Sequence, residues 1–314
     1  MLAFIAKRLV LVIPVVLAVA LVCFLLVHIA PGDPLVSVLP PDASAALAEQ
    51  MKRAYGFDRP LPVQFGIWLW KAVHGDLGSS IASGRSVTEE VLRAVGNTLM
   101  LAAVAAVFGF AFGLLFGFLA GYYRDSWVDR LVTGIAIAGV SMPHYWLGMV
   151  LVILFSVQLG WLPAVGTAPG DWAWDWAHLQ YLVLPAATMS MIPMGIVTRT
   201  VRALVGDLLS QEFVLALRAK GLGEGRIFVH VAKNAAPTAI AVMGLQLGDL
   251  LGGSILIETV FSWPGTGFLL NSAIFQRDLP LLQGTILVLA LFFVFLNLLV
   301  DVLQAAIDPR IKRS

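Results

Sequence analysis

Charged residues are scarce in this chain of 314 residues: Asp, Glu, Lys and Arg together make up 12%, whereas 59% of the residues are hydrophobic. Soluble domains carry roughly 25% charged residues, so the composition excludes an ordinary water-soluble protein. The formal net charge of +1 gives no indication of nucleic-acid binding. We therefore expect lipid to solvate much of the chain.

Cysteine and the usual catalytic motifs are also missing or nearly so. The single cysteine, Cys23, cannot form an internal disulfide or a cysteine-rich metal cluster, and its apolar surroundings indicate packing. No Gly-Lys dipeptide occurs, so the chain lacks a phosphate-binding loop. The five histidines show no His-Glu-x-x-His spacing, which argues against a zinc protease. The sequence thus predicts a protein that is not an enzyme and has no catalytic residue, metal site or cofactor of its own.

Long hydrophobic runs are what the chain has instead. A bilayer core of about 30 Å needs about 20 apolar residues in a helix. Six runs reach that length, at residues 9–29, 98–121, 131–157, 181–201, 237–260 and 281–303. The first is too long for the core of a signal peptide and lacks a small-residue cleavage site. The sequence predicts an all-α integral membrane protein with about six transmembrane helices.

Basic residues indicate the orientation of these helices. Lys and Arg flank the runs on one side, at positions 7 and 8, 124 and 130, between 199 and 233, and at 310–313. On the other side, the short segment 158–180 contains none and the last short loop contains one, Arg277. The segment 30–97 is too long for its charges to count. Because basic loops stay in the cytoplasm, we expect both termini and the loop 206–237 to be cytoplasmic.

The predicted organisation follows from these runs. Residues 1–30 form the N-terminus and first helix, 31–97 an outer segment, 98–304 the transmembrane core, and 305–314 a cytoplasmic tail. Helical patterns at 43–55 and 63–73 predict a helical insertion on the outer face, which either caps the helix ends or binds an outside protein. Aromatic anchors at a membrane interface are expected in the next outer loop. They are Trp161, Trp172, Trp174 and Trp176.

Glycines recur every four residues in two of the runs, which places them on one helix face where a second backbone can approach. The residues are Gly109, Gly113, Gly117 and Gly121 in the first set, and Gly244, Gly248 and Gly252 in the second. We predict that both sets pack against other helices, whether of this chain or of another. General abundance of glycine in membrane helices is the alternative.

The loop 206–237 is a polar, basic island between hydrophobic runs. Ser210 is the predicted N-cap of a short helix, with Glu212 in its first turn. Arg218 and Lys220 lie in its last turn, and Gly221 ends it. Glycines at 221, 223 and 225 then predict a sharp elbow, followed by a second helical piece from 226 towards 234. The loop is therefore expected to be a helix, an elbow and a return helix, with an apolar face on the first.

These residues resemble the cytoplasmic loop of binding-protein-dependent ABC importer permeases, most closely the dipeptide/oligopeptide/nickel family and the first, B-type, of its two permease subunits. The matching stretches in the loop are Glu212-Phe213-Val214, Arg218-Ala219-Lys220-Gly221-Leu222, His230, Lys233-Asn234-Ala235 and Pro237. Others follow the same order along the chain: Pro31-Gly32-Asp33-Pro34, Pro60-Leu61-Pro62-Val63-Gln64, Gly75-Asp76-Leu77-Gly78, Gly244-Leu245-Gln246, residues 258–267 and Asp308-Pro309-Arg310-Ile311. Leu215 and Leu217 depart from the wider superfamily, which tends to have Glu and Ala there.

The resemblance implies a type I ABC importer permease fold in a bacterial inner membrane, and half of a translocation pore for short peptides. Nickel chelates, glutathione and opines are carried by similar permeases. It further implies a second homologous permease, one or two cytoplasmic ATPase subunits that bind ATP and Mg²⁺, and an external binding protein. The helix from Glu212 to Leu222 is expected to dock on the ATPase.

Acidic residues within the spans suggest further roles. Asp249 lies deep in a run, where a carboxylate usually faces a polar cavity or a partner. It either contacts a substrate's amino group in the translocation path or makes a structural hydrogen bond. Glu258, Arg277 and Asp301 are interpreted as interfacial. A secondary transporter or a membrane scaffold is the rival class, but the former usually has internal repeats or paired intramembrane charges, which this sequence lacks.

Overall fold

A computed structural model describes residues 2–29, 46, 49, 53, 58–170 and 172–307. Regular structure in this part of the chain is helical, apart from a single bridge between Ser79 and Ser86. The helical piece predicted at 43–55 and the closing Asp308-Pro309-Arg310-Ile311 motif lie outside the described residues, apart from the three isolated positions. The predicted all-α fold is confirmed for the part of the chain that is described.

The described helices range from 8 to 37 residues, and the longest have the length that a membrane crossing requires. They are α1 (Leu2–Ile29), α2 (Leu61–Val73), α3 (Val87–Tyr122), α4 (Trp127–Ser141), α5 (His144–Leu151), α6 (Trp176–Leu209), α7 (Glu212–Ala219), α8 (Glu224–Val260), α9 (Thr266–Gln276) and α10 (Leu279–Ile307). A π-helical stretch, Val152–Gln158, continues α5. The second predicted outer helix, 63–73, corresponds to α2.

Each of the six hydrophobic runs falls on one or more of these helices. Among the described residues, four helices are long and apolar enough to cross a membrane: α3, α6, and the stretches Glu224–Leu250 of α8 and Leu279–Leu296 of α10. The pair α4 and α5 with its π-helical continuation is a fifth candidate, and Val12–Leu25 is a shorter apolar stretch of α1. The chain is therefore a multi-pass membrane protein.

The third run, 131–157, is not the single straight span that its hydropathy predicts. It bends by 107° between α4 and α5. Met142 is extended (φ −85°, ψ 135°) and precedes Pro143, whose ring disfavours the helical conformation in the residue before it. The proline thus ends α4, and α5 begins directly after it in a new direction.

The residues group into two compact units, and each is considered by itself. The first comprises Met1–Asn97 and Pro264–Phe295. In it, Asp278 is completely buried and accepts hydrogen bonds from Ser80 Oγ at 2.5 Å and from the Ala82 amide at 3.1 Å. Its other oxygen accepts from the Leu281 amide at the start of α10. One carboxylate therefore fastens the loop before α3 to the start of α10.

The second unit comprises Thr98–Trp263 and Leu296–Ser314. Glycines of α3 lie directly against α6, which allows the two backbones to approach closely. A Cβ atom added to Gly113, Gly117 or Gly121 would lie 2.9, 2.6 or 2.7 Å from the Cβ atoms of valines on α6. Those valines are Val197, Val201 and Val205. Gly109 meets the Ser190 carbonyl oxygen in the same way, at 3.0 Å.

The second set of predicted packing glycines behaves differently. A Cβ atom on Gly252 would meet nothing within 4 Å, and Gly244 and Gly248 are only half-buried. No described residue of this chain therefore packs tightly against Gly252. If Gly252 has a close partner, that partner lies outside the described residues of this chain.

The loop before α6 and the start of that helix complete the second unit. Asp175 caps α6: its Oδ1 accepts from the His178 amide at 3.0 Å and lies 2.6 Å from His178 Nδ1. The bond with His178 holds the pKa of the Asp175 carboxyl below its usual range. Trp172 packs edge-on against the buried Trp263. The other three tryptophans of this loop, Trp161, Trp174 and Trp176, are largely exposed, as membrane anchors would be.

Candidate functional site

The helix α7 lies in the predicted cytoplasmic loop and spans eight residues, Glu212–Ala219. Glu212 is in its first turn and Arg218 in its last, which suits the helix dipole at both ends. Lys220 forms the C-cap, and Gly221 follows at φ +77°, a left-handed conformation that favours glycine. The Gly221 amide donates to the Arg218 carbonyl at 2.9 Å. The predicted stop at Gly221 thus has a definite backbone basis.

Two details of the predicted loop are wrong. Ser210 does not cap α7: it ends α6, and its hydroxyl donates to the Asp207 carbonyl at 2.8 Å. Gln211 occupies the N-cap position without a side-chain hydrogen bond. The return helix is also not a separate piece, because α8 runs without a break from Glu224 through Pro237 to Val260. Only Gly221 of the three elbow glycines has a positive φ; Gly223 caps α8 and Gly225 lies within it.

One face of α7 is fixed in the second unit. Val214 is completely buried in a cluster with Val201, Val205 and Ile227. Phe213, Leu217 and Leu222 pack against the same cluster. This cluster joins α6, α7 and α8.

Glu224, the first residue of α8, accepts hydrogen bonds from both α7 and α3. Its Oε1 accepts from Arg218 Nε at 3.1 Å, and its Oε2 accepts from Arg218 Nη2 at 3.3 Å. The Tyr122 hydroxyl at the end of α3 donates to Glu224 Oε2 at 2.8 Å. Three helices therefore meet at one carboxylate. Residue types and spacing alone did not reveal this contact.

The opposite face of α7 is open. The Leu215 side chain is 70% exposed, and Glu212, Arg218, Ala219 and Lys220 are exposed around it. Leu215 is therefore an apolar side chain on an otherwise largely charged, exposed face. Of the predicted coupling residues, Val214 is therefore buried, Phe213 and Leu222 are half-buried, and the others form the open face.

A cavity of about 210 Å³ lies elsewhere in the second unit. It is lined by residues of α5, α6 and α8: His144, Met189, Ile192, Pro193, Gln246, Asp249, Leu250 and Ile257. Asp249, the predicted translocation-path residue, is exposed at this cavity. Among the described residues no hydrogen bond or ion pair reaches its carboxylate.

Glu258, which was expected to be interfacial, is completely buried and accepts a hydrogen bond from Thr98 Oγ1 at 2.7 Å. It lies on α8 about two and a half turns beyond Asp249 and just over three turns beyond Gln246, in the same unit. The described residues contain no group of three or more His, Cys, Asp or Glu side chains that could hold a metal ion.

Comparison with known proteins identifies the family. Residues 113–313 match the family described as "Binding-protein-dependent transport system inner membrane component". The chain belongs to this family. Residues 1–87 match the N-terminal membrane component of the same transport systems. The chain is therefore a permease subunit of an ABC importer, and the predicted family is confirmed.

Two curated relatives match nearly end to end. One is the dipeptide transport system permease protein DppB of Alkalihalophilus pseudofirmus, 37% identical over 99% of this chain and 100% of the relative. The other is the glutathione transport system permease protein GsiC of Escherichia coli K12, 41% identical over 99% of both chains.

A solved structure shares the fold. It is an inward-facing form of the MetNI methionine ABC transporter, with a TM-score of 0.57 and 19% identity, covering 69% of this chain and 96% of that one. The predicted permease fold is therefore confirmed. As a multi-pass inner-membrane permease subunit, the chain works together with ATPase and substrate-binding components.

Proposed function

We propose that this permease forms half of a pore that imports dipeptides and oligopeptides, and that it catalyses no reaction itself. ATP and Mg²⁺ are bound by one or two separate cytoplasmic ATPase subunits, a second homologous permease forms the other half of the pore, and an external protein delivers the peptide. Both termini and α7 face the cytoplasm. In this arrangement α7 is the coupling helix.

The observation that carries the proposal is that one face of α7 is buried in this chain and the other is exposed. Val214 is completely buried while Leu215, the next residue, is 70% exposed. A helix that is fixed on one side and offers an apolar side chain on the other can receive force from a partner and pass it to α6 and α8. The chain supplies no phosphate-binding loop of its own, so the force must come from another subunit.

The peptide substrate is supported by the relative DppB, whose name specifies dipeptide transport. Glutathione is the second candidate, because the GsiC relatives are 41% identical. Nickel chelates and opines complete the set of solutes to be tested. All of these leave the same permease architecture in place.

The test of the substrate is uptake by the purified importer in proteoliposomes, isolated through a tag on this chain together with its binding protein. We expect ATP-dependent accumulation of labelled Ala-Phe that exceeds the uptake of glutathione, nickel–histidine and an opine. Accumulation of glutathione alone contradicts the peptide assignment. A preparation that contains no second permease and no ATPase contradicts the pore arrangement and favours a scaffold or a secondary transporter.

The coupling role is tested by Gly221→Pro. Proline fixes φ near −65°, whereas Gly221 has φ +77° and donates its amide to the Arg218 carbonyl. The end of α7 must therefore rearrange. We expect membrane insertion to persist while ATP hydrolysis no longer drives uptake of Ala-Phe, as measured by the ratio of peptide imported to ATP hydrolysed.

Gly223→Pro is the matched control, since Gly223 lies two residues away with φ −68°, a value that proline adopts. We expect this variant to retain most of its coupling. Normal substrate-stimulated ATP hydrolysis together with normal peptide uptake in the Gly221→Pro variant would contradict the coupling role of α7.

A further inference from the structure

Gln246 lines the cavity in the second unit and has a side-chain amide donor without a hydrogen-bond partner in the described part of the chain. The residue is 5% exposed, and its Nε2 has no hydrogen-bond partner among the described residues. A buried amide donor is costly when unpaired, so such groups are normally bonded or reserved for a ligand. The group that satisfies it must present an acceptor oxygen.

Asp249, one turn further along α8, adds a carboxylate to the same cavity wall. Its carboxylate is exposed at the same cavity without a described partner. Residues three apart on a helix lie on one face with Cβ atoms about 5–6 Å apart. The two side chains can therefore contact one small ligand that carries a cation close to an acceptor oxygen.

The remaining wall is mostly apolar. Met189, Ile192 and Leu250 contribute to it together with Pro193 and Ile257. An apolar wall accepts side chains without demanding particular hydrogen bonds, and methionine adapts its shape to different neighbours. The cavity thus combines two specific polar groups with a tolerant apolar surface, as ligand sites generally do.

The amino-terminal residue of a peptide has the required chemistry. It carries a primary ammonium group and a carbonyl oxygen on the same α-carbon unit, with a variable side chain beside them. A peptide whose amino terminus is acetylated has no ammonium group for Asp249 to bind.

We propose that this cavity is a transit subsite for the free amino terminus of the imported peptide, with Asp249 binding the ammonium group and Gln246 donating to the neighbouring carbonyl oxygen. The ligand class rests on the proposed peptide import. The permease itself would then contribute to substrate selectivity, in addition to the external binding protein.

The experiment measures protection of a cysteine in the cavity. Cys23→Ala removes the chain's only cysteine, and Ile192→Cys then places a reporter on the apolar wall. The permease–ATPase complex is prepared in phosphatidylcholine nanodiscs, and the rate of maleimide labelling of this chain is followed with Ala-Phe or with N-acetyl-Ala-Phe. We expect Ala-Phe to slow labelling and the acetylated peptide to have little effect.

Substitutions of the two polar groups test the assignment directly. Asp249→Asn and Gln246→Met should each weaken protection by Ala-Phe roughly tenfold, the loss expected for one charge-assisted or one buried hydrogen bond. Asp125→Asn is the matched control, because Asp125 is an exposed carboxylate in the turn after α3 and does not line the cavity. Met189→Cys provides a second reporter if Ile192→Cys fails to fold.

Equal protection by both peptides, absence of protection, or protection that survives both polar substitutions overturns the subsite. A lipid with a primary amine could offer the same chemistry, so the assay is repeated in phosphatidylethanolamine nanodiscs; protection there without peptide also overturns the proposal. Failure of peptide uptake in proteoliposomes with intact protection would instead contradict the proposed transport function and leave the subsite standing.

Discussion

Arg202 shows how a residue's role depends on a partner that is remote in sequence. By sequence it is one of several basic residues marking the cytoplasmic side. In the structure it forms a two-pronged ion pair with Asp129, with Nη2 2.7 Å from Oδ2, across 73 positions of the chain. The Asp129 side chain is 4% exposed and that of Arg202 32%, so the pair fastens α4 to α6.

We predict that Asp129→Ala destabilises the permease by about 3–5 kcal/mol, because removal of one partner leaves the other charge without compensation in a largely buried site. The measurement is thermal unfolding in detergent, followed by the loss of monodisperse protein. The double variant Asp129→Leu with Arg202→Met should recover most of this loss, since the stranded charge is gone. A double variant as unstable as Asp129→Ala would contradict this account.

Glu258 is a second residue whose environment was not readable from the sequence. Its place near the end of a hydrophobic run suggested the membrane interface. The structure buries it completely with Thr98, which is 160 positions away. Hydropathy locates a residue along the membrane normal but says nothing of whether it faces lipid, water or protein. Gln246 was missed for the same reason.

At the scale of helices, the glycine spacing was informative but incomplete. A four-residue repeat places Gly109, Gly113, Gly117 and Gly121 on one helix face, and that much follows from the sequence. Which helix lies against that face does not follow, because it depends on the packing of the whole unit. The matching repeat on α6, Val197, Val201 and Val205, becomes meaningful only when the two helices are seen together.

We predict that Gly117→Ala destabilises the second unit by about 1–3 kcal/mol, the usual cost of overpacking a close contact. The added Cβ would lie 2.6 Å from Val201 Cβ and 2.9 Å from the Thr198 carbonyl oxygen, and a backbone atom cannot simply rotate away. Thermal unfolding in detergent measures the effect.

Two other glycines provide controls for that experiment. Gly134 of α4 has nothing within 4 Å of an added Cβ, so Gly134→Ala should leave the unfolding temperature nearly unchanged. Gly252→Ala should likewise leave the isolated chain stable. If it nevertheless weakens co-purification with the second permease, the second glycine set packs against that subunit. Equal losses for Gly117→Ala and Gly134→Ala would contradict the packing argument.

The ends of helices were the least predictable feature of the loop. Ser210 is a good N-cap by residue type, yet its hydroxyl bonds back into α6. The hydrophobic run that begins at Pro237 was predicted separately from the return helix that runs from 226 towards 234. Membrane helices tolerate interior proline when neighbouring groups satisfy the freed carbonyl, and α8 continues through it. Local preference was outweighed by tertiary packing in both cases.

For the whole molecule, hydropathy and family motifs together were enough to predict the permease fold. The apolar runs predicted about six membrane helices, because a bilayer of fixed thickness demands a minimum length. Among the described residues, four helices, or five with the bent pair α4 and α5, are long and apolar enough to cross a membrane. They did not give the bend of 107° between α4 and α5, because a count of apolar residues contains no direction. The cavity was equally inaccessible, since its walls come from three helices.

Assembly with the ATPase is the property of the whole molecule that α7 should control. We predict that Leu215→Asp reduces affinity for the ATPase subunit by roughly 2 kcal/mol, about thirtyfold, as for loss of an apolar hot-spot residue. The exposed position of Leu215 means that the fold of this chain should not suffer. Co-purification of the ATPase at increasing dilution measures the change.

Leu215→Met should retain the ATPase, because it keeps an apolar side chain of similar size. The unfolding temperature of the separated chain serves as a check on its fold for both variants. Undiminished recovery of the ATPase with Leu215→Asp would show that the subunit binds elsewhere.

The unbroken course of α8 has a mechanical consequence. At 1.5 Å per residue, the 37 residues from Glu224 to Val260 form a rod about 55 Å long. The rod connects Glu224, just after α7, to Gln246 about 33 Å away and Asp249 about 38 Å away. No segment between them has to fold or melt for a movement at one end to reach the other. Pro237, which lacks an amide hydrogen, is where the rod is most easily flexed. The bending stiffness of α8 at Pro237 would therefore determine how much of a displacement of Glu224 reaches Gln246 and Asp249.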